Sequence, residues 1–411
     1  MNFNRFFQNA TGHPPYGFQC RLAGGNTADP AGHFTHGSTC TSRLINIPTG
    51  LGKTAGVVSA WLWNRVERLD ANWPRRLVYC LPMRTLVEQT EKEVRKWLGQ
   101  SLWDGTPGTR QGKVGVHVLM GGEDAGEWDI YPEEKAILIG TQDMLLSRAL
   151  NRGYGMSRYR WPMHFGLLNN DCLWVMDETQ LMGVGIETSA QLDGFRNDGK
   201  ISTSATCPTW WMSATLDDSR LTTVDHPKPE HGWPVMMLSD EEKTTGRPNV
   251  LFTAPKKLTR ASVELTPATK KECAKQLAGL IKDCHRSGAL TLVVVNRVSR
   301  ARELFAALTT GKKPLYDKPE NVGLIHSRFR PVDRERHAKL LFGSGDRIVV
   351  ATQVVEAGVD VTARLLITEL APWSSLVQRM GRCNRYADMA DAEVLWRSEE
   401  RRVGKECRSR W

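Results

Sequence analysis

The sequence predicts an α/β protein of two doubly wound parallel-sheet lobes in tandem, with a cleft between them. Three observations carry that prediction. Short apolar runs recur along the chain with longer helix-like segments between them. The runs lack polar alternation, as strands buried on both faces should. A chain of 411 residues is long enough for two to three domains.

The first series of strands is expected at Arg43–Ile47, Leu77–Leu81, Gly115–Leu119, Ala136–Gly140, Cys172–Met176 and Trp210–Ala214. A second series follows at Thr291–Val295, Val322–Ile325, Arg347–Ala351, Arg364–Glu369 and Glu393–Trp396. Parallel neighbours need crossover connections, so helices are expected over both sheets. Between the series, Asp217–Lys257 is rich in Asp, Thr, Pro and Lys, and the interdomain linker is expected around residues 243–262. The lobes are therefore expected at residues 1–245 and 246–396. The last fifteen residues, Arg397–Trp411 (RSEERRVGKECRSRW), have no apolar period and resemble the translation of a short-read sequencing adapter. On that reading the natural chain continues beyond Trp396 and the tail is excluded from the fold; the alternative is a genuine basic tail.

Composition sets the class. The chain is 40% hydrophobic and 24% charged, ordinary for a globular protein. No run approaches the ~18 apolar residues of a membrane helix, and the first residues contain no signal-peptide-like apolar stretch. Nine scattered cysteines without a CxxC pair suit a reduced cytoplasm rather than a disulfide framework. A net charge of +10 favours a polyanionic partner, weakly by itself.

Three runs carry chemistry. Ile47–Thr54 (IPTGLGKT) ends a strand and opens an apolar helix, so backbone N–H groups of the loop and helix start can face phosphates. Thr49, Gly50, Leu51 and Gly52 form the cradle. Lys53 can neutralise β/γ-phosphates, and Thr54 can ligate magnesium. The strict phosphate-loop pattern has Gly where Ile47 stands, a modest departure. Cys172–Gln180 (CLWVMDETQ) is a buried strand ending in two carboxylates. Asp177 is the candidate magnesium partner, and Glu178 the group that positions and deprotonates an attacking water. Gln378–Arg385 (QRMGRCNR) supplies Gln378, Arg379, Arg382 and Arg385, whose guanidinium groups could reach the same phosphates from the second lobe.

These runs resemble superfamily 2 helicases, whose lobes are RecA-like, and the resemblance extends through most of residues 11–396. Leu77–Thr90 resembles motif Ia, Gly140–Leu146 motif Ib, Met212–Leu216 motif III, Leu292–Phe305 motif IV and Asp346–Val361 motif V. The CNR ending of motif VI, the LIHSRF run at Leu324–Phe329 and GTQDMLL are similar to the CRISPR-associated helicase-nucleases of type I systems. DETQ followed by LMGVGIETSAQLDGFR is most similar to the I-U/I-G subtype.

The resemblance implies ATP and Mg2+ as cofactors and single-stranded DNA as track. It assigns Ser213 and Thr215 to coupling. Arg84, Thr85, Thr141 and Asp143 would lie on the nucleic-acid face of the first lobe, and Asn296, Thr352 and Gln353 on that of the second. Gly358 and Asp360 would sit near the ribose, and Gln19 would read adenine beside Tyr16 or Phe18, with an insertion near residues 20–41. Family members couple 3′-to-5′ movement on DNA to an HD-type nuclease and are recruited by an RNA-guided surveillance complex. No His-Asp dipeptide occurs here, and in that subtype the nuclease would be C-terminal.

Two weaker signals remain. Ser147–Trp161 interleaves arginines with Tyr154, Tyr159 and Trp161, which suits single-strand stacking or a solvated insertion. Cys20, His33, His36 and Cys40 are four potential zinc ligands at an unfamiliar spacing. The competing readings are another superfamily 2 motor, of restriction or repair type, and a non-hydrolysing DNA-binding fragment.

Overall fold

The computed structural model describes residues 2–24, 40–102, 113–121, 127–213, 218–263, 272–310, 316–329 and 331–398. The chain divides into two compact units, Met1–Thr244 and Thr245–Trp411.

Unit 1 is built on a seven-stranded sheet. Its strands are β1 (Arg43–Asn46), β2 (Arg76–Leu81), β3 (Val114–Leu119), β4 (Lys135–Thr141), β5 (Cys172–Met176), β6 (Thr209–Ser213) and β7 (Val235–Met237). The order across the sheet is β3-β4-β2-β5-β6-β1-β7, and every pairing is parallel. β2, β5 and β6 are buried along their whole length, which is why they read as continuous apolar runs.

Tryptophan fills much of this core. Trp61, Trp174, Trp210 and Trp211 are fully buried, and each indole N–H has a partner. Trp61 donates to Pro74 O (2.8 Å), Trp174 to Leu168 O (2.8 Å), Trp210 to Thr41 O (2.9 Å) and Trp211 to Ser189 Oγ (2.9 Å). A partner for the indole N–H offsets the cost of burying that polar group. The helix Phe3–Thr11 starts at an Asn2 cap that accepts from Arg5 N, and it ends at Gly12 (φ 82°). Its Phe3 and Phe6 rings pack on Trp63.

Unit 2 carries a six-stranded sheet of β8 (Lys257–Arg260), β9 (Leu290–Val294), β10 (Val322–Ile325), β11 (Arg347–Ala351), β12 (Leu365–Glu369) and β13 (Glu393–Arg397). The order is β10-β11-β9-β12-β13-β8, again all parallel. Helices Cys273–Cys284 and Val298–Thr309 supply Leu277, Ile281, Ala301, Leu304 and Leu308 to the core over one face.

The two parallel-sheet units are the fold class that the sequence implies. Three details differ. The stretch expected as linker, 243–262, holds the helix Gly246–Thr253 and edge strand β8. β8 (KLTR) and β7 (VMM) are edge strands and largely exposed; β8 lacks an apolar run and that of β7 is only three residues long. β13 also runs one residue past Trp396: Arg397 is buried and its guanidinium pairs with Glu369. The rest of the adapter-like tail from Glu399 lies outside the described residues.

Candidate active site

Parallel strands open their C-terminal ends to one edge of the sheet, and that edge gathers the phosphate-loop, DETQ and Ser213 segments of unit 1. The loop leaves β1 at Ile47 and enters the helix Lys53–Trp61 through Gly50 (φ 86°) and Gly52 (φ 69°). Both glycines hold the left-handed backbone that a side chain resists. A Cβ at Gly50 would meet open space, so that turn leaves the backbone accessible. A Cβ at Gly52 would press on Gln19 Nε2 at 3.1 Å. Lys53 is buried, and its Nζ donates to Ile47 O across the loop at 3.1 Å.

Asp177 follows β5 and sits beside the loop. Its backbone N–H donates to Cys80 O (3.0 Å), and its Oδ1 accepts from Glu178 N (2.8 Å). Its Oδ2 lies 2.8 Å from the Tyr79 hydroxyl, which is also 3.2 Å from Thr54 Oγ1. Burial and the neighbouring Glu178 charge push the Asp177 carboxyl up to about 6, against the pull of Lys53 and the Tyr79 hydrogen bond. Burial, with Asp177 next, raises the Tyr79 phenol well above its usual range.

Glu178 holds a left-handed backbone (φ 53°, ψ 46°), a strained state that clusters at functional sites. Its Oε2 accepts from Gln180 Nε2 at 2.5 Å, and Gln180 Oε1 accepts from Ser213 Oγ at 2.7 Å. A polar relay therefore runs from the second carboxylate to the end of β6. Thr215 lies outside the described residues. Thr54, Asp177 and Glu178 form a set of hard oxygen donors at one strand end, and a hard divalent cation of the Mg2+ kind fits that donor chemistry.

Gln19 lies against the phosphate loop. It is buried, donates through Nε2 to Gly52 O (2.9 Å) and Leu51 O (3.5 Å), and accepts at Oε1 from Tyr16 N (2.8 Å). The amide is thus hydrogen-bonded to the phosphate loop itself. Tyr16 and Phe18 stack on each other at 6.1 Å. Elsewhere in unit 1, Arg84 is exposed and donates to Gly121 O, Thr85 is half-buried, Thr141 is buried and Asp143 is exposed.

Ser147–Trp161 lies at the other end of the sheet. Arg160 pairs with Asp129, which precedes β4, and Ala149 O accepts from Asn169, which precedes β5. With five residues in β5, the segment is roughly 16 Å from the phosphate-loop end, although Tyr154 and Tyr159 are well exposed (70% and 97%). Of the four zinc candidates, His33 and His36 lie outside the described residues, and among the described residues no cluster of three metal-ligating side chains occurs.

Unit 2 gathers its motif residues around Arg379. This fully buried guanidinium pairs with Glu356 Oε1 (2.7 Å) and donates to Thr368 Oγ1 and Glu369 O (both 3.0 Å) and to Asn296 Oδ1 (2.9 Å). Asn296 Nδ2 donates in turn to Leu370 O, and Gln353 donates to Asn296 O. The Asn296 side chain is thus engaged within the unit. Arg382 is buried too, donating to Val355 O (3.2 Å) and Glu356 O (2.8 Å). Thr352 and Gln378 are buried. Arg385 is more accessible: it pairs with the exposed Asp360 at 2.6 Å, two residues after Gly358 (φ 69°). Tyr79, Gln180 and Glu356 make these contacts from inside motifs read in the sequence, which gave them no role. The available signal for Tyr79 was a phenol inside an otherwise apolar strand.

Comparison with known proteins identifies the frame. Residues 34–224 match the DEAD/DEAH box helicase family. Residues 287–388 match the C-terminal part of the CRISPR-associated nuclease/helicase Cas3. The chain thus carries a DEAD/DEAH box helicase segment followed by a segment similar to the C-terminal part of Cas3. The CRISPR-associated helicase Cas3 of Thermoproteus tenax is 28% identical over 371 residues, 85% of this chain and 55% of that one. A putative CRISPR-associated nuclease/helicase Cas3 of Myxococcus xanthus is 39% identical over 112 residues, 26% of this chain and 14% of that one. The chain therefore spans about half the length of the first relative and much less of the second is aligned. T. fusca Cas3 with AMPPNP superposes with a TM-score of 0.62 at 18% identity, covering 97% of this chain and 48% of that chain. The DNA-bound DUF1998 helicase MrfA superposes at 0.58 with 15% identity, covering 96% and 48%. The Cas3-like fold thus extends over both units, and among the described residues no helix is long and apolar enough to cross a membrane.

Proposed function

We propose that this chain is the motor part of a Cas3-like protein: an ATP-dependent translocase on single-stranded DNA that unwinds target DNA after recruitment by an RNA-guided surveillance complex. The observation that carries the proposal is the convergence of Lys53, Thr54, Asp177 and Glu178 at one end of a parallel sheet, where such sheets bind nucleotides.

Backbone N–H groups of Thr49–Gly52 and the helix start would hold the phosphates, with Lys53 turning from Ile47 O to the β/γ-phosphate charge. Thr54 and Asp177 would hold magnesium, which when bound neutralises phosphate charge. Glu178, oriented by Gln180, would accept the proton of a water attacking the γ-phosphorus as ADP leaves. Arg385 would supply transition-state charge from the second unit, with Arg382 and Gln378 bracing the motif from which it projects. Gly358 and Asp360 would lie near the ribose. Bracing of the loop by Gln19 would make its adenine contact conditional on release of Gly52 O.

The relay Glu178–Gln180–Ser213, with Thr215 beyond it, would pass the state of the γ-phosphate to the DNA face formed by Arg84, Thr85, Thr141 and Asp143, and by Asn296, Thr352 and Gln353 on the second unit. Backbone contacts of this kind do not read sequence. An HD-type nuclease in a C-terminal part of the protein, and a cytoplasmic location, complete the proposal. Steady-state phosphate release tests it: Lys53→Ala is expected to abolish turnover, and full hydrolysis by that variant would sink the assignment.

A further inference from the structure

We propose that the Tyr79 hydroxyl is a positioning group that presets Thr54 and Asp177 as cation ligands before nucleotide arrives. The inference rests on the reading of this edge as an Mg·ATP site.

Tyr79 lies in β2, hydrogen-bonded between β4 and β5, and is fully buried. A phenol in such a core needs a partner for its hydroxyl, and this one has two: Asp177 Oδ2 at 2.8 Å and Thr54 Oγ1 at 3.2 Å. It has a single proton to give. A carboxylate takes that proton in preference to a neutral hydroxyl, because charge-assisted hydrogen bonds are roughly twice as strong. Thr54 must then donate its own proton to the phenol oxygen, which turns its lone pairs away from Tyr79.

The consequence for the carboxylate is similar. Oδ1 is held by Glu178 N at 2.8 Å and Oδ2 by Tyr79, so Asp177 is clamped at both oxygens while each keeps a free lone pair. One hydroxyl therefore fixes the rotamer of the aspartate and the proton direction of the threonine, residues 98 and 25 positions away in the chain. A preorganised ligand pair lowers the ordering cost of capturing the ion.

The test is Tyr79→Phe, which removes one oxygen and keeps the ring. Affinity for a fluorescent ADP analogue is measured in excess EDTA and in Mg2+, and Mn2+ binding is followed by electron paramagnetic resonance with ADP present. Removing an outer partner of a metal ligand is expected to weaken Mn2+ binding and the Mg2+-dependent gain in ADP affinity by roughly tenfold, with affinity in EDTA unchanged. An unchanged Mg2+ gain, or an equal loss with and without metal, would overturn the inference. Tyr79→Leu, which lacks the hydroxyl in a different shape, is expected to lose the same Mg2+ gain; retention of that gain in a folded Tyr79→Leu protein would overturn it as well. If the wild-type chain binds ADP with no Mg2+ dependence, the Mg·ATP reading itself fails and the inference falls with it.

Discussion

Replacing Asp177 with asparagine is expected to stabilise the nucleotide-free chain at neutral pH while removing its turnover. The carboxyl is raised from 3.8 to about 6 by burial and by the adjacent Glu178 charge. For an acid with a raised folded value, the native state binds more protons than the unfolded chain between those two values. Stability therefore falls as pH rises through that window, and the full penalty is present above pH 6. At about 1.4 kcal/mol per pH unit, the penalty is about 3 kcal/mol. Asparagine does not ionise and can keep the hydrogen bonds: its Oδ1 still accepts from Glu178 N, and its NH2 can donate to the Tyr79 oxygen once that hydroxyl turns toward Thr54. The gain at pH 8 is then up to about 3 kcal/mol, or roughly 6–12 °C in Tm for a unit of this size. It should shrink to about a few tenths of a kcal/mol near pH 3.5, where the wild-type carboxyl is protonated in the native state and mostly so in the unfolded chain. The assay is thermal unfolding in EDTA across that pH range, followed by tryptophan fluorescence, which reports mainly on unit 1. A destabilised variant at pH 8, or a gain independent of pH, would refute the reasoning.

Two further outcomes concern unit 2. Arg379→Met leaves Glu356 buried without its ion-pair partner and should destabilise the protein by about 3–5 kcal/mol, with part of the loss recovered in the double variant with Glu356→Gln; additive losses in urea unfolding would show that the pair is not coupled. Arg385→Ala removes only a partly exposed pair with Asp360, so stability should change by less than about 1 kcal/mol. Its ATP turnover should nevertheless fall by roughly 10³-fold with little change in nucleotide affinity, and a change in affinity alone would remove Arg385 from the transition state.

Much of the fold was legible because parallel strands buried on both faces announce themselves as apolar runs. β5, β10 and β11 lie where the sequence puts them. β8 (KLTR) was not legible because it displays little apolar face, and β7 (VMM) because an apolar run of three residues is too short to read as a strand. The catalytic candidates were legible for a different reason: a phosphate loop is contiguous in sequence, and Asp177–Gln180 ends a recognisable strand. What escaped depends on contacts between distant residues. Tyr79 reaches Asp177 across 98 positions, and Arg379 reaches Glu356 and Asn296 across 23 and 83. Motif reading treated the arginines of Gln378–Arg385 as one set of phosphate ligands. The folded unit separates them, holding Arg379 and Arg382 on internal acceptors and leaving Arg385 nearer the surface.

The most direct measurement is the rate of phosphate release from ATP by the purified chain, with and without single-stranded DNA, beside Lys53→Ala and Glu178→Gln. A DNA-dependent rise in the wild-type rate that both variants lack is the expected result. Hydrolysis indifferent to DNA, or surviving in either variant, would contradict a nucleic-acid motor driven from the Lys53–Asp177–Glu178 edge.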